Sequence, residues 1–209
     1  QIPSADLVPD GLAGYRGPGR PRFDLVEARR LLAEAGYARG ADVPPITLTY
    51  NTSEGHKQVA EAIQQMWKKE LGITVELENL EWNVFLQAAE RTNFQVCRMG
   101  WTGDYADPYT FLELLSSDCG NNHSNWKSPD YDRLLQEANR EADPAARLAK
   151  LREAEEMGLA AQPLIPLYVY TRTQLVKPYV RGLWGNHQDR HPWKYIWIEI
   201  LTDRRSQRS

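Results

Sequence analysis

Apolar positions in this chain switch between a helical period and strict alternation. Leu25, Ala28, Leu32 and Ala35 share one helix face, with Asp24 placed to cap it and Gly36 to stop it. Glu27 follows Asp24 by three residues, the spacing of a capping box. After Pro44-Pro45, Ile46, Leu48 and Tyr50 alternate with threonines, as on a strand. Val59, Ile63, Met66, Trp67 and Leu71 form the stripe of a second helix, capped by Ser53 and ended by Gly72. Ile73, Val75 and Leu77 alternate with Thr74, Glu76 and Glu78, which predicts a half-buried strand. A short helix over 82–90 and a strand from Phe94 complete a strand-helix-strand-helix-strand run. That order is the signature of a layered α/β sheet with right-handed crossovers.

Beyond Pro108 the pattern predicts a short helix to Leu115 and a polar loop over 116–127. Ser128-Pro129 and Asp143-Pro144 each pair a cap with proline at the first helical position, so two helices start there, the second running to Ala161. Strands are expected over 164–170 and 195–201, with a short extended piece over 174–176. Residues 1–22 are rich in glycine and proline and read as a lead-in loop without its own core. Residues 23–201 then form a single α/β ligand-binding lobe, and 202–209 a frayed polar tail.

Composition narrows the function classes. The 209 residues suffice to bury a substantial core in one domain. A net charge of -3 offers no basic field for nucleic acid, so none is expected as a partner. No window approaches the roughly 20 apolar residues of a membrane span. No basic-then-apolar start resembles a signal peptide, which for a chain starting at Gln1 says nothing of what precedes it. Cys97 and Cys119 would close a loop of about 20 residues if bonded, a constraint of about 3 kcal/mol; two buried thiols are the plainer reading. Neither cysteine sits in a redox motif.

The chemistry concentrates in 94–108, FQVCRMGWTGDYADP. An apolar strand crosses Gly100-Trp101 and delivers Asp104 into a Gly/Tyr/Asp/Pro turn. An exposed strand end can pair its backbone with an extended ligand, and a lone carboxylate can take a charge-assisted hydrogen bond from an ammonium group. A turn-forming aspartate bonding its own backbone is the competing reading. Arg98 lies six residues before Asp104. On a regular strand that separation is about 20 Å, which suits the two ends of a short extended peptide. Asp107, before Pro108, reads as a helix cap, and nothing in the stretch pairs a nucleophile with a base.

This segment resembles the ligand-contacting strand of the periplasmic oligopeptide-binding proteins, the family 5 solute-binding proteins of ABC importers. YNTSEGHK (50–57), MWKKELGITVELENLEW (66–82), GNN (120–122), KSPDYD (127–132) and IPLYVYTRTQLVKP (165–178) resemble that family in the same order. The resemblance implies the C-terminal lobe of a type II periplasmic-binding-protein-like fold, as an isolated lobe or as part of a chain more than twice as long. It implies that Asp104 anchors a peptide α-ammonium group, and that Arg98 and His56 lie near the ligand carboxylate. Asn51 and Asn121 would line the cleft, Trp82 and Trp101 would wall side-chain pockets, Gly100 would lie on the ligand strand, and Tyr170 rather than Tyr168 would reach the ligand. Some members carry a second arginine in the helix before the Phe94 strand; here Ala89 stands there, with Arg91 two residues on.

The expectation is therefore an extracytoplasmic or periplasmic receptor of an ABC transporter that captures oligopeptides by their free amine, with no cofactor. Its partners would be the N-terminal lobe of the same parent chain and the membrane permease. Within the family the ligand could instead be a dipeptide, a nickel chelate, an oligosaccharide or an opine. An enzyme pairing Asp104 with Asp107 or Glu113 is the alternative from another class. A zinc site at His187 and His191 would need a helix, and Gly185, Asn186 and Pro192 argue for a loop.

Overall fold

The computed structural model describes residues 1–19, 23–186 and 188–200. His187, Leu201 and the tail expected over 202–209 lie outside the described residues, as do the last three residues of the lead-in stretch. The elements run β1 (Ile2–Pro3), α1 (Leu25–Glu34), β2 (Ile46–Asn51), α2 (Glu54–Leu71), β3 (Val75–Leu80), α3 (Trp82–Glu90), β4 (Val96–Cys97) and α4 (Tyr109–Leu112). They continue with α5 (Pro129–Arg140), α6 (Pro144–Ala161), β5 (Tyr168–Val169), β6 (Val180–Arg181) and β7 (Trp197–Ile198).

The caps explain the helix ends. The side chains of Asp24, Ser128 and Asp143 accept the backbone N–H of Glu27, Tyr131 and Ala146 at 2.9, 3.3 and 2.7 Å. Gly72 ends α2 at φ 78, a left-handed conformation that glycine adopts without a Cβ clash. Ser53 holds the N-cap position of α2 but makes no side-chain cap bond. The capping box at Asp24 is only half formed, because Arg30 draws the Glu27 carboxylate away at 2.6 and 2.7 Å.

β2 is the centre of a parallel sheet of order β3-β2-β4, with Ile46 opposite Val75 and Thr49 opposite Cys97. Leu48, Tyr50, Ala60, Ile73 and Val75 form the core beneath it, joined by Trp67. A second core lies among the helices, where Phe111, Leu112, Leu115, Tyr131, Leu135 and Leu151 pack.

Several expectations change, and the strands expected over 164–170 and 195–201 contract to the two-residue β5 and β7. The stretch 1–22 lacks a core of its own, but it buries Val8, Leu12 and Tyr15 in the helical core. Its β1 also pairs antiparallel with β5. Glycine-rich composition could not show this, because the segment's partner is a buried carboxylate, Glu155, 148 positions beyond Leu7. The strand from Phe94 is cut to two residues, since β2 offers it a ladder only at Leu48 and Thr49. No strand covers 174–176; β6 forms later and pairs with β7 instead. Both cysteines are free and half-buried, and burial pushes the Cys97 thiol up to about 11. Among the described residues no helix is long and apolar enough to cross a membrane.

Candidate functional site

Parallel strands all point their carboxyl ends one way, and the crevice outside those ends is where such sheets bind ligands. Asn51 is the last residue of β2, Arg98 follows β4, and Trp82 opens α3 just after β3. His56 lies in the first turn of α2, which β2 feeds directly. The sheet therefore brings Asn51, His56 and Arg98 to one edge, and β5 adds Tyr168 with Tyr170 just beyond it.

These residues touch. Asn51 Oδ1 lies 2.9 Å from His56 Nδ1, and the Tyr170 hydroxyl 3.3 Å from His56 Nε2. The Arg98 guanidinium donates to the Tyr168 hydroxyl at 3.2 Å and sits 5.5 Å from the centroid of the Tyr170 ring. The two tyrosine rings meet edge to face at 5.3 Å. Both tyrosines therefore contact the arginine. Among the described residues Arg98 pairs with no carboxylate, so it is not an arginine consumed by a surface ion pair. A Cβ on Gly100 would stand 3.2 Å from Tyr170 and 3.7 Å from the Arg98 guanidinium, so glycine lets the chain pass close to both.

Electrostatics follow from this packing. Burial, and then the positive charge of Arg98, push the His56 imidazole below its ordinary value, against the opposing bond to Asn51. Replacing Arg98 by glutamine is expected to raise the His56 pKa, read by histidine proton shifts in an NMR titration. An unchanged value would mean that the guanidinium does not act on the ring.

After Cys97 the chain leaves the sheet. The Arg98 N–H donates to the Thr49 carbonyl at 2.8 Å, the last bond of that edge. Residues 99–103 make no backbone hydrogen bond among the described residues, and Met99, Gly100 and Thr102 are exposed. Because they form no regular strand, the separation of about 20 Å reckoned for a strand from Arg98 to Asp104 is not a feature of the structure. Asp104 is exposed at the end of this stretch. The buried Thr110 hydroxyl accepts its N–H at 3.1 Å, and Gln188 Nε2 donates to its carbonyl at 2.8 Å. No cation pairs with its carboxylate among the described residues.

The remaining candidates stand apart from the Asn51–His56–Arg98–Tyr170 cluster. Trp82 is half exposed and stacks on Phe85 at 6.1 Å. Trp101 packs on the helical core, with its indole N–H buried and unpartnered among the described residues. Asn121 is exposed; its neighbour Asn122 ties the loop, donating to the carbonyls of Leu115, Ser116 and Trp126. Ala89 is buried and Arg91 exposed, so neither adds a cation to the cluster.

The carboxylate pair of the hydrolase alternative is poorly set for acid–base work. Burial raises the Asp107 carboxyl, but bonds from Arg147 at 2.8 and 2.9 Å and from the Tyr109 N–H more than offset it and hold it below its usual range. Asp107 thus caps α4 as expected. Glu113 accepts from the Tyr105 hydroxyl at 3.1 Å. No metal-binding cluster occurs among the described residues, and His191 bonds Asp189. Two cavities, about 440 Å³ near Arg172 and His191 and about 400 Å³ near Gln64 and Lys68, are lined by none of the ligand-binding candidates. The candidate site is an open wall.

Comparison with known proteins gives this wall a context. Residues 1–123 match the family described as bacterial extracellular solute-binding proteins, family 5 Middle. The chain is 36% identical over 191 residues to the oligopeptide-binding protein OppA of Bacillus subtilis, covering 88% of this chain and 35% of that protein. It is 42% identical over 176 residues to the periplasmic oligopeptide-binding protein OppA of Salmonella typhimurium, covering 84% of this chain and 31% of that protein. The crystal structure of Haemophilus influenzae OppA in complex with RPPGFSPFR superimposes with a TM-score of 0.82 at 32% identity, over 95% of this chain and 40% of that one. The chain thus spans about a third of the length of the curated relatives it matches.

Proposed function

The chain belongs to the bacterial extracellular solute-binding proteins of family 5, and from that premise we propose that it forms the wall of an oligopeptide-binding cleft in the extracytoplasmic receptor of an ABC importer. One observation carries the reading. Among the described residues, the backbone of 99–103 is unpaired and runs between an arginine free of carboxylate partners and an aspartate free of cationic ones. An extended peptide laid along this edge would find main-chain partners for its amides and opposite charges for its two termini. Main-chain bonding gives affinity with little regard to side chains.

In this reading Asp104 takes the α-ammonium group. Arg98, oriented by Tyr168 and Tyr170, faces the carboxylate end together with His56. The relatives named for oligopeptides, and the one solved with a nine-residue peptide, support peptides over other ligands of the family. A second lobe of the parent protein would cover the peptide by hinge closure, and the closed form would engage the membrane permease.

The test is a thermal-shift screen of the full receptor with di- to hexapeptides, each with a free and an N-acetylated amine, beside a sugar and a nickel chelate. Stabilisation by free-amine peptides is the expected result. Stabilisation only by the sugar or the chelate would replace the ligand class, and stabilisation by acetylated peptides alone would remove Asp104 from its role.

A further inference from the structure

We infer that Gln188 is a positioning residue for the amine-anchoring carboxylate, a specificity determinant supplied by a C-terminal loop 84 positions away from Asp104. The inference rests on the proposed role of Asp104. That residue sits in a turn with two backbone groups to hold. The buried Thr110, on α4, fixes the N–H, and Gln188 Nε2 fixes the carbonyl at 2.8 Å. With both ends of its peptide units tied, the aspartate can turn its carboxylate to solvent without the turn relaxing to let it bond its own backbone, as aspartates in turns otherwise do.

The loop that presents Gln188 is itself built to stay in place. The Asn186 side chain closes it, with Oδ1 accepting the N–H of Gln188 at 3.2 Å and of Arg190 at 3.1 Å, and Nδ2 donating to the Arg190 carbonyl at 3.0 Å. Asp189 adopts φ 50, an uncommon conformation for a residue with a Cβ. Its carboxylate is held from both sides, by Arg172 Nε at 2.7 Å and His191 Nε2 at 3.0 Å. Arg172 lies two residues beyond Tyr170. One short loop is thus anchored beside the segment that carries Tyr170 and reaches across to the turn that carries Asp104, so it links the two poles of the proposed ligand edge.

The experiment compares Gln188→Ala, Asp104→Asn and the double variant in the full receptor, by calorimetric titration with one tetrapeptide in free-amine and N-acetylated forms. Gln188→Ala is expected to lower affinity for the free-amine peptide about three- to tenfold, the effect of losing one exposed hydrogen bond. Affinity for the acetylated peptide should not change, and Gln188→Ala should add nothing in the Asp104→Asn background. If Gln188→Ala lowers melting temperature sharply, Gln188→Met keeps a similar size and no charge but removes the donor, and the same loss of selectivity is expected. Equal loss for both peptides, or a full additive loss on top of Asp104→Asn, overturns the inference. A wild-type receptor with no preference for the free amine overturns the reading of Asp104 itself, a result distinct from wild-type preference that survives Gln188→Ala.

Discussion

Asp104→Asn is expected to weaken binding of free-amine peptides by about ten- to a hundredfold and to leave N-acetylated peptides nearly unchanged. The magnitude is that of a hydrogen bond to a charged group, about 1.5–3 kcal/mol, read through the affinity scale. Asparagine keeps the size and the acceptor oxygen, so what is removed is the charge. The turn should persist, because Thr110 and Gln188 hold the backbone of Asp104 and not its side chain. An exposed carboxylate in water contributes little by itself. Its effect should therefore grow with enclosure, and the loss should be larger in a receptor able to close than in the open wall alone. Fluorescence or calorimetric titration with matched peptides decides the matter. A loss of the same size for acetylated peptides would show that the substitution disturbs the ligand edge at large and that no ammonium group was being recognised.

The parts of this structure that sequence made legible are those governed by neighbours a few residues away. The β2-α2-β3-α3-β4 order follows from switches in apolar period, and three helix starts follow from Asp24, Ser128 and Asp143, whose partners lie three residues on. What escaped depends on distant partners. Phe94 onward looked like a long strand because its composition is strand-like, yet strand length is set by the ladder that β2 can offer. The glycine- and proline-rich start looked peripheral because the carboxylate that receives it stands on α6. Within the candidate site, the residues after strand ends assembled as the topology requires. Alternation assigns opposite faces only where a strand continues, and β5 stops at Val169, so both Tyr168 and Tyr170 contact Arg98. Gln188 stands in a polar loop, and its bond to the Asp104 carbonyl spans 84 positions that no local pattern links.

Glu155→Ala should be the most damaging single substitution, destabilising the chain by about 3 kcal/mol or more. Glu155 is a carboxylate only 1% exposed, inside the helical core. Its Oε1 accepts the N–H groups of Leu7 and Val8 at 2.7 and 2.9 Å, and its Oε2 accepts the Tyr15 hydroxyl at 2.5 Å. Removing it leaves two backbone donors and a phenol without partners and opens a cavity between α6 and the leading segment. Glu155→Gln should be far milder, since an amide oxygen can still accept both N–H groups while its NH₂ faces the phenol oxygen. The two variants also separate packing from charge. Burial holds the Glu155 carboxyl above its usual value of 4.5 in spite of these bonds. The folded state therefore binds this proton more tightly than the unfolded chain does, so the group's contribution is fully present below that usual value and is lost as pH rises through the raised one. Glutamine does not titrate. Urea denaturation across that window should show the wild-type advantage over Glu155→Gln shrinking as pH rises. A gap independent of pH would mean that the buried carboxylate is as comfortable charged inside the protein as in water, its bonds to Leu7, Val8 and Tyr15 offsetting the whole cost of burial.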